Sequence, residues 1–122
     1  MDLDDDELQL TKMLNGTLKN KKISKIIKIF DELKIDIRLR GYSEWIALVQ
    51  LFYEEKNIDL HNLKIEALYM KLSRKLGITR DGLERNLRTV VKKHNENIKK
   101  FFKYDYYITN KTFLILLLKY LK

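Results

Sequence analysis

The side chains best suited to chemistry lie close together past the middle of the chain. Glu84, Arg85, Arg88 and Lys92 are spaced so that long donors and one carboxylate share the outer side of a helix, with Asp81 beside them near its start. Arginine can grip guanine O6 and N7 with a two-pronged fork, and glutamate can accept from the cytosine amino group. Adjacent Glu84 and Arg85 therefore suit a C/G-containing step read in a major groove. The competing reading is an ordinary solvated face on which Glu84 and Arg88 form an i, i+4 pair worth about 0.3 kcal/mol.

The elements that would hold these residues are legible on either side. Leu83, Leu87, Val90 and His94 recur at i, i+4, i+7 and i+11, which makes one inward seam for the helix that carries the arginines. Upstream, Leu68, Leu72 and Leu76 fall on one face of a preceding helix while Lys71, Arg74 and Lys75 point elsewhere. Gly77 can adopt the positive φ of a C-terminal cap, and Ile78 can plug the corner between the two helices. Thr79 is placed to cap the second helix, with Asp81 in its first turn favoured by the macrodipole. The spacing predicts a helix-turn-helix over about residues 65–94.

In order, these residues resemble the C-terminal DNA-binding effector domain of the stage-zero sporulation regulator family of endospore-forming bacteria. Its helix-turn-helix has the form Leu-Tyr, Ala-Lys-Lys-Phe, Thr-Thr, Val-Glu-Arg and Ile-Arg. The corresponding positions are Leu68-Tyr69, Ser73-Arg74-Lys75-Leu76, Ile78-Thr79, Leu83-Glu84-Arg85 and Leu87-Arg88. Arg40-Gly41-Tyr42 and Tyr53 are similar to the family's Lys-Gly-Tyr and later Tyr, and Thr109-Asn110 with Phe113, Leu117 and Leu121 to its closing helix. The resemblance runs over roughly Ile26 to Lys122. It implies that Glu84, Arg85 and Arg88 face base edges, and Thr89 and Asp81 are expected to contact bases with them. It also implies that Thr79 and the nearby cations Lys75, Arg80, Lys92 and Lys93 hold phosphates. Gly82 and Thr89 depart from the family, which has Arg and His there, and this bears on the match to its TGTCGAA-type box. Gly82 also costs about 1 kcal/mol of helix propensity against Ala. The segment from Asn97 to Thr109 is shorter than the family's loop, which bears on how subunits pair. The family's phosphorylated receiver domain does not fit in the roughly 22 residues before the first clear amphipathic helix. The expectation is a regulator not controlled by phosphorylation in cis.

Elsewhere the pattern is helical too. Ile23, Ile26, Ile27, Phe30 and Leu33 form a stripe ending near Lys34, and Leu8, Leu10, Met13 and Leu14 suggest an earlier helix interrupted near Gly16. Ile35, Ile37 and Leu39 alternate with Asp36, Arg38 and Arg40, which reads as a connector because no second alternating run exists to pair with it. Gly41 permits a turn and Ser43 can cap the helix after it. Trp45, Ile46, Leu48, Val49, Phe52 and Tyr53 give that helix a thick apolar face, so it is expected to be central. Asn57 to Asn62 reads as a loop. Past the arginine-bearing helix, Phe101, Phe102, Tyr104, Tyr106 and Tyr107 mix with Lys99, Lys100 and Lys103. Such a mixture can stack single-stranded bases, or it can pack under the final helix, which is the favoured reading. The apolar positions Phe113, Leu117 and Leu121 fit either a core-closing helix or a dimer seam.

Composition bounds the function. The chain has 122 residues, 45% of them apolar, enough for one core. It has no Cys, which removes disulfides and thiolate metal sites. The acidic N-terminus is unlike a signal peptide, and the longest apolar run, Phe113 to Leu118, is far short of a membrane span. A cytoplasmic protein is expected. Net charge is +8, yet Asp2, Asp4, Asp5, Asp6 and Glu7 put five negatives into the first seven residues, so the remainder carries +13. From Arg80 to Lys103 eight basic residues face three acidic ones, and Lys19, Lys21, Lys22, Lys25 and Lys28 form a second cluster. Such surfaces bind phosphates by counterion release. The acidic head reads first as a solvated, frayed helix start. Its other readings are an intramolecular mimic of DNA and, least, a divalent-metal site, because carboxylates without a preformed loop bind metals poorly.

Nothing in the sequence points to catalysis. His61 and His94 lie far apart in no known metal or nucleophile spacing, and the four glycines form no phosphate-cradling loop. No cofactor or metal is expected. The reading is an all-α single domain of about six helices, residues 23–122, behind an acidic, partly helical extension over 1–22. Its expected partner is double-stranded DNA, bound sequence-specifically to regulate transcription. Contact with RNA polymerase and a homodimer on DNA are further partners that such a role admits. The alternative is an interaction protein that modulates a related regulator or the transcription machinery without reading DNA.

Overall fold

Buried apolar residues from every helix merge into one core, so the chain is an all-α single domain. The structure is a computed structural model that describes residues 19–55 and 63–122. Six helices run through the described residues: α1 Lys19–Glu32, α2 Arg40–Glu54, α3 Ile65–Leu76, α4 Arg80–Lys93, α5 Asn95–Phe102 and α6 Asn110–Tyr120. None of them is long and apolar enough to cross a membrane. The acidic head, the helix expected around Leu8 to Leu14 and the loop expected over Asn57 to Asn62 lie outside the described residues. α1 begins at Lys19, and so reaches back across the boundary expected at residue 22.

α2 is the central helix, as its apolar face requires. It packs on α1, α3 and α4, and most extensively on α4. Trp45, Leu48 and Val49 are fully buried. The indole Nε1 of Trp45 donates to the Leu87 carbonyl of α4 at 3.0 Å, which gives the one polar atom of a buried ring its partner. Trp45 also meets Phe113 edge-on at 4.9 Å, and Phe113 stacks with Phe30 at 6.2 Å, which ties α6 and α1 to the same centre. Phe113, Leu117 and Leu121 are all buried against this centre, so the final helix closes the core. Phe101 and Phe102 pack against Tyr120 of α6, in line with the packing reading of that aromatic cluster, while Tyr106 and Tyr107 are exposed.

Several local expectations are corrected. Gly41 makes no turn: it lies inside α2, where a Cβ would stand 2.6 Å from Val90 Cγ2 and closer still to the Asn86 carbonyl oxygen. Its role is to let two helices touch. Ser43 does not cap α2; Leu39 holds the cap position, and the Ser43 hydroxyl donates to the Arg40 carbonyl. Leu76 leaves the inward face and is 44% exposed, because it is the last residue before the Gly77 reversal. Residues 95–102, to which the residue pattern assigns no helix, form α5. The bend at His94 starts it, and the buried Asn95 amide pins the following loop by exchanging hydrogen bonds with the backbone of Ile108, at 2.9 and 3.3 Å. The connector after α1 carries no strand, as expected.

Three helices end in the same way. After α1, α3 and α5 the chain turns into the left-handed region at Lys34, Gly77 and Lys103, and the next amide bonds back five residues to Phe30, Ser73 and Lys99. These are Schellman caps, which favour glycine at the reversing residue. Lys103→Gly should therefore raise stability by about 0.5–1 kcal/mol, the left-handed penalty less the entropy of an added glycine. A thermal midpoint higher by a few degrees checks it. Gly41→Ala should act oppositely, lowering stability by about 3 kcal/mol through overpacking against a backbone carbonyl that cannot swing away. Urea unfolding of the variant measures the loss.

Candidate nucleic-acid interface

The turn between α3 and α4 is built as its residues require. Gly77 has φ +68° with open space around its Cα, so the backbone angle alone selects glycine there. Ile78 is partly buried against the core. Thr79 Oγ1 accepts from the Gly82 amide at 2.9 Å and caps α4, whose first turn carries Asp81. Leu83, Leu87 and Val90 then lie fully buried. With those three turned inward, helical geometry makes positions 81, 85, 88, 89 and 92 face out. Asp81, Arg85, Arg88, Thr89 and Lys92 are all exposed.

The two flanks of α4 are held by other elements. On the first flank, Asn86 Nδ2 donates to Glu44 of α2, and Lys93 pairs with Asp36 of the α1–α2 connector at 3.1 Å. The His94 ring lies at the end of this flank. Its Nδ1 is 2.8 Å from the Val90 carbonyl, and its Nε2 accepts from the Asp36 amide at 3.3 Å. A neutral ring with its proton on Nδ1 satisfies both contacts. Asp36 also receives the Arg38 side chain through Nε and Nη2, each at 3.1 Å, and the Arg38 amide at 2.9 Å. These bonds from Arg38, with that from Lys93, hold its carboxyl well below the usual carboxylate range.

On the second flank Arg80 is locked in place. Its guanidinium forks onto the Glu66 carboxylate of α3, contacts Asp81 at 3.1 Å and lies over the Tyr69 ring. The Glu66 hydrogen bonds raise its already high pKa further. Glu84 turns the same way. Its side chain is 23% exposed, 3.6 Å from Arg88, and lines an open cleft of about 340 Å³ with Tyr69, Arg80, Asn110 and Lys111. Asn110, at the start of α6, donates to the Tyr69 hydroxyl at 3.1 Å and joins that helix to the flank.

The residues singled out from the sequence thus separate into three groups. Arg85, Arg88, Thr89, Lys92 and Asp81 share the outer face. Glu84 and Arg80 lie toward α3 and α6, Arg80 with its donors engaged. Thr79 spends its hydroxyl oxygen on the cap, and Lys75 is paired with Glu54 at 3.3 Å on α3. Lys93 flanks the face but is held by Asp36. Two exposed arginines outside the sequence-derived set, Arg38 and Arg40, stand on the first flank. Their alternation with Ile37 and Leu39 is the signal that could find them, although by itself it marks only the polar side of a connector.

One charge beneath the face is poorly accommodated. Glu44 is buried between α2 and α4, its Oε2 accepts from Asn86 at 3.4 Å, and its Oε1 is buried without a hydrogen-bond partner among the described residues. Burial pushes its pKa up, against smaller opposing effects of Asn86 and Arg40. A carboxyl whose pKa rises on folding contributes most below its unfolded value, and that contribution is lost as pH rises through the folded value. Glu44→Gln should therefore raise the urea midpoint at pH 7. It should leave the midpoint unchanged well below the ordinary glutamate value of about 4.3, and denaturation at both pH values checks the pair.

Compared with protein-family models, with curated proteins and with solved structures, the chain matches none of them.

Proposed function

We propose that the chain binds double-stranded DNA sequence-specifically and regulates transcription. In this reading α3, the turn at residues 77–79 and α4 act as a helix-turn-helix, with α4 in the major groove. The observation that carries it is the outer face of α4, where Arg85, Arg88 and Lys92 are exposed above a fully buried leucine seam. Arg85 and Lys92 make no ion pair among the described residues, and the Arg88 side chain stays 58% exposed beside Glu84. Such donors are free to take base edges. The resemblance of the same residues to the sporulation regulator's effector domain supports the assignment. Arg85 and Arg88 are the base readers, Thr89 and Asp81 adjoin them, and Lys92 takes a phosphate. Glu84 leans toward the cleft beside α6 and shares its charge with Arg88, which makes it the weakest of the base contacts.

A second reading has one observation in its favour. Met70 and Leu76 of α3 are each 44% exposed, and a partner protein could cover them without any contact to nucleic acid.

Selection of bound sequences from a random duplex pool distinguishes the two. DNA reading predicts an enriched motif, and no enrichment would leave the interaction reading in place. On the enriched site, Arg85→Ala and Arg88→Ala should each lose about 1–3 kcal/mol of discrimination against a changed base pair. Lys92→Ala should weaken all duplexes alike.

A further inference from the structure

The α1–α2 connector is fastened to α4 more firmly than a surface loop needs to be. Asp36 receives Lys93 of α4 and Arg38 of its own turn, and its amide bonds to His94 at the end of α4. Ile35 is buried in the core just before it. Connector and α4 are therefore joined by an ion pair and a hydrogen bond. At the outer edge Ile37 is 73% exposed, the Arg38 side chain is 87% exposed while paired with Asp36, and Arg40, the first residue of α2, is exposed with no salt bridge among the described residues. Arg38 spends Nε and Nη2 on Asp36, which fixes the plane of its guanidinium and leaves the Nη1 donors pointing away.

A helix with its side chains is about 10–12 Å across, and the major groove is about 12 Å wide. A helix seated there has a phosphate strand along each flank. The flank bearing Asn86 and Lys93 is the one to which the connector is fastened, so Arg38 of the connector and Arg40 at the start of α2 lie on the side of that strand. We infer that Arg38 and Arg40 form a phosphate-binding edge that grips the DNA backbone beside α4 and sets how that helix lies in the groove. This rests on the duplex-binding reading of α4 and extends it to a second element. The contact is with backbone only, so it adds affinity and orientation without sequence preference.

The test uses the full chain and two duplexes of about 30 base pairs, one carrying the selected site and one of mixed sequence, titrated between 50 and 200 mM salt. Arg38→Ala with Arg40→Ala should flatten the log–log salt dependence on both duplexes by about 1 to 1.8, the upper figure being two fully neutralised phosphates and the lower allowing for the Asp36 carboxylate already beside Arg38. The wild-type advantage should accordingly shrink by about fourfold to tenfold across that range. The ratio between the two duplexes should not change. Arg40→Ala alone, which breaks no salt bridge, should show at least half the slope change. Arg38→Lys with Arg40→Lys should restore most of the slope, because the edge works by charge. A double alanine variant that keeps the wild-type slope overturns the phosphate edge while leaving duplex binding by α4 intact. A wild-type protein that binds neither duplex overturns both.

Discussion

The fold depends on how closely α2 and α4 approach. At Gly41 the two backbones touch, with the Asn86 carbonyl and the Val90 side chain filling the space a Cβ would occupy. One turn along, the Trp45 indole reaches the Leu87 carbonyl. Together a missing side chain and a large one hold α4 at a single rotation. If α4 turned about its axis, the tryptophan would lose its only acceptor and Leu83, Leu87 and Val90 would leave the core. The identity of the outward residues is thus a consequence of packing on the opposite side. α3 and α6 reinforce the same rotation through the Arg80–Glu66 fork and the contact of the Asn110 amide with the Glu84 carbonyl at 3.5 Å.

The charges near α4 are sorted by their partners. Arg80, Lys75 and Lys93 each find a carboxylate from a distant part of the chain, Glu66, Glu54 and Asp36 respectively. Such exposed pairs add little stability, typically under about 1 kcal/mol. Their larger effect is on availability, because a cation already matched by a carboxylate gains less from a phosphate. Arg85, Lys92 and Arg40 have no such match among the described residues, and Arg38 shares its one carboxylate, Asp36, with Lys93. A net charge of +8 is a sum over the whole chain; the pairing shows which of the cations near α4 stay unmatched among the described residues.

Much of the fold is legible in the residue pattern. The leucine seam of α4, the left-handed Gly77, the Thr79 cap and the central role of the Trp45 helix all follow from periodicity and local chemistry, which act over a few residues. Gly41 and Ser43 mislead for the same reason. A glycine followed by a small hydroxyl residue is a turn and cap by local rules, and nothing nearby discloses that Asn86, 45 residues on, occupies the space above it. α5 escapes the pattern because Phe101, Phe102 and their lysines are ambiguous alone, and the Asn95 contact with Ile108 that closes the segment spans 13 residues. Leu76 departs at a helix end, where the inward stripe outruns the packing.

By itself the sequence determined the all-α class, the boundaries around the turn at residues 77–79, and the set of residues that α4 would turn away from its leucines. Those depend on a 3.6-residue period and on backbone angles, both local quantities. Only the tertiary structure decided which outward cations stay unmatched, that Glu84 leans toward α6, and that the connector bearing Arg38 is tied to the end of α4. Ion pairs and helix contacts join residues distant in the chain, and no local rule fixes which of many like charges will meet.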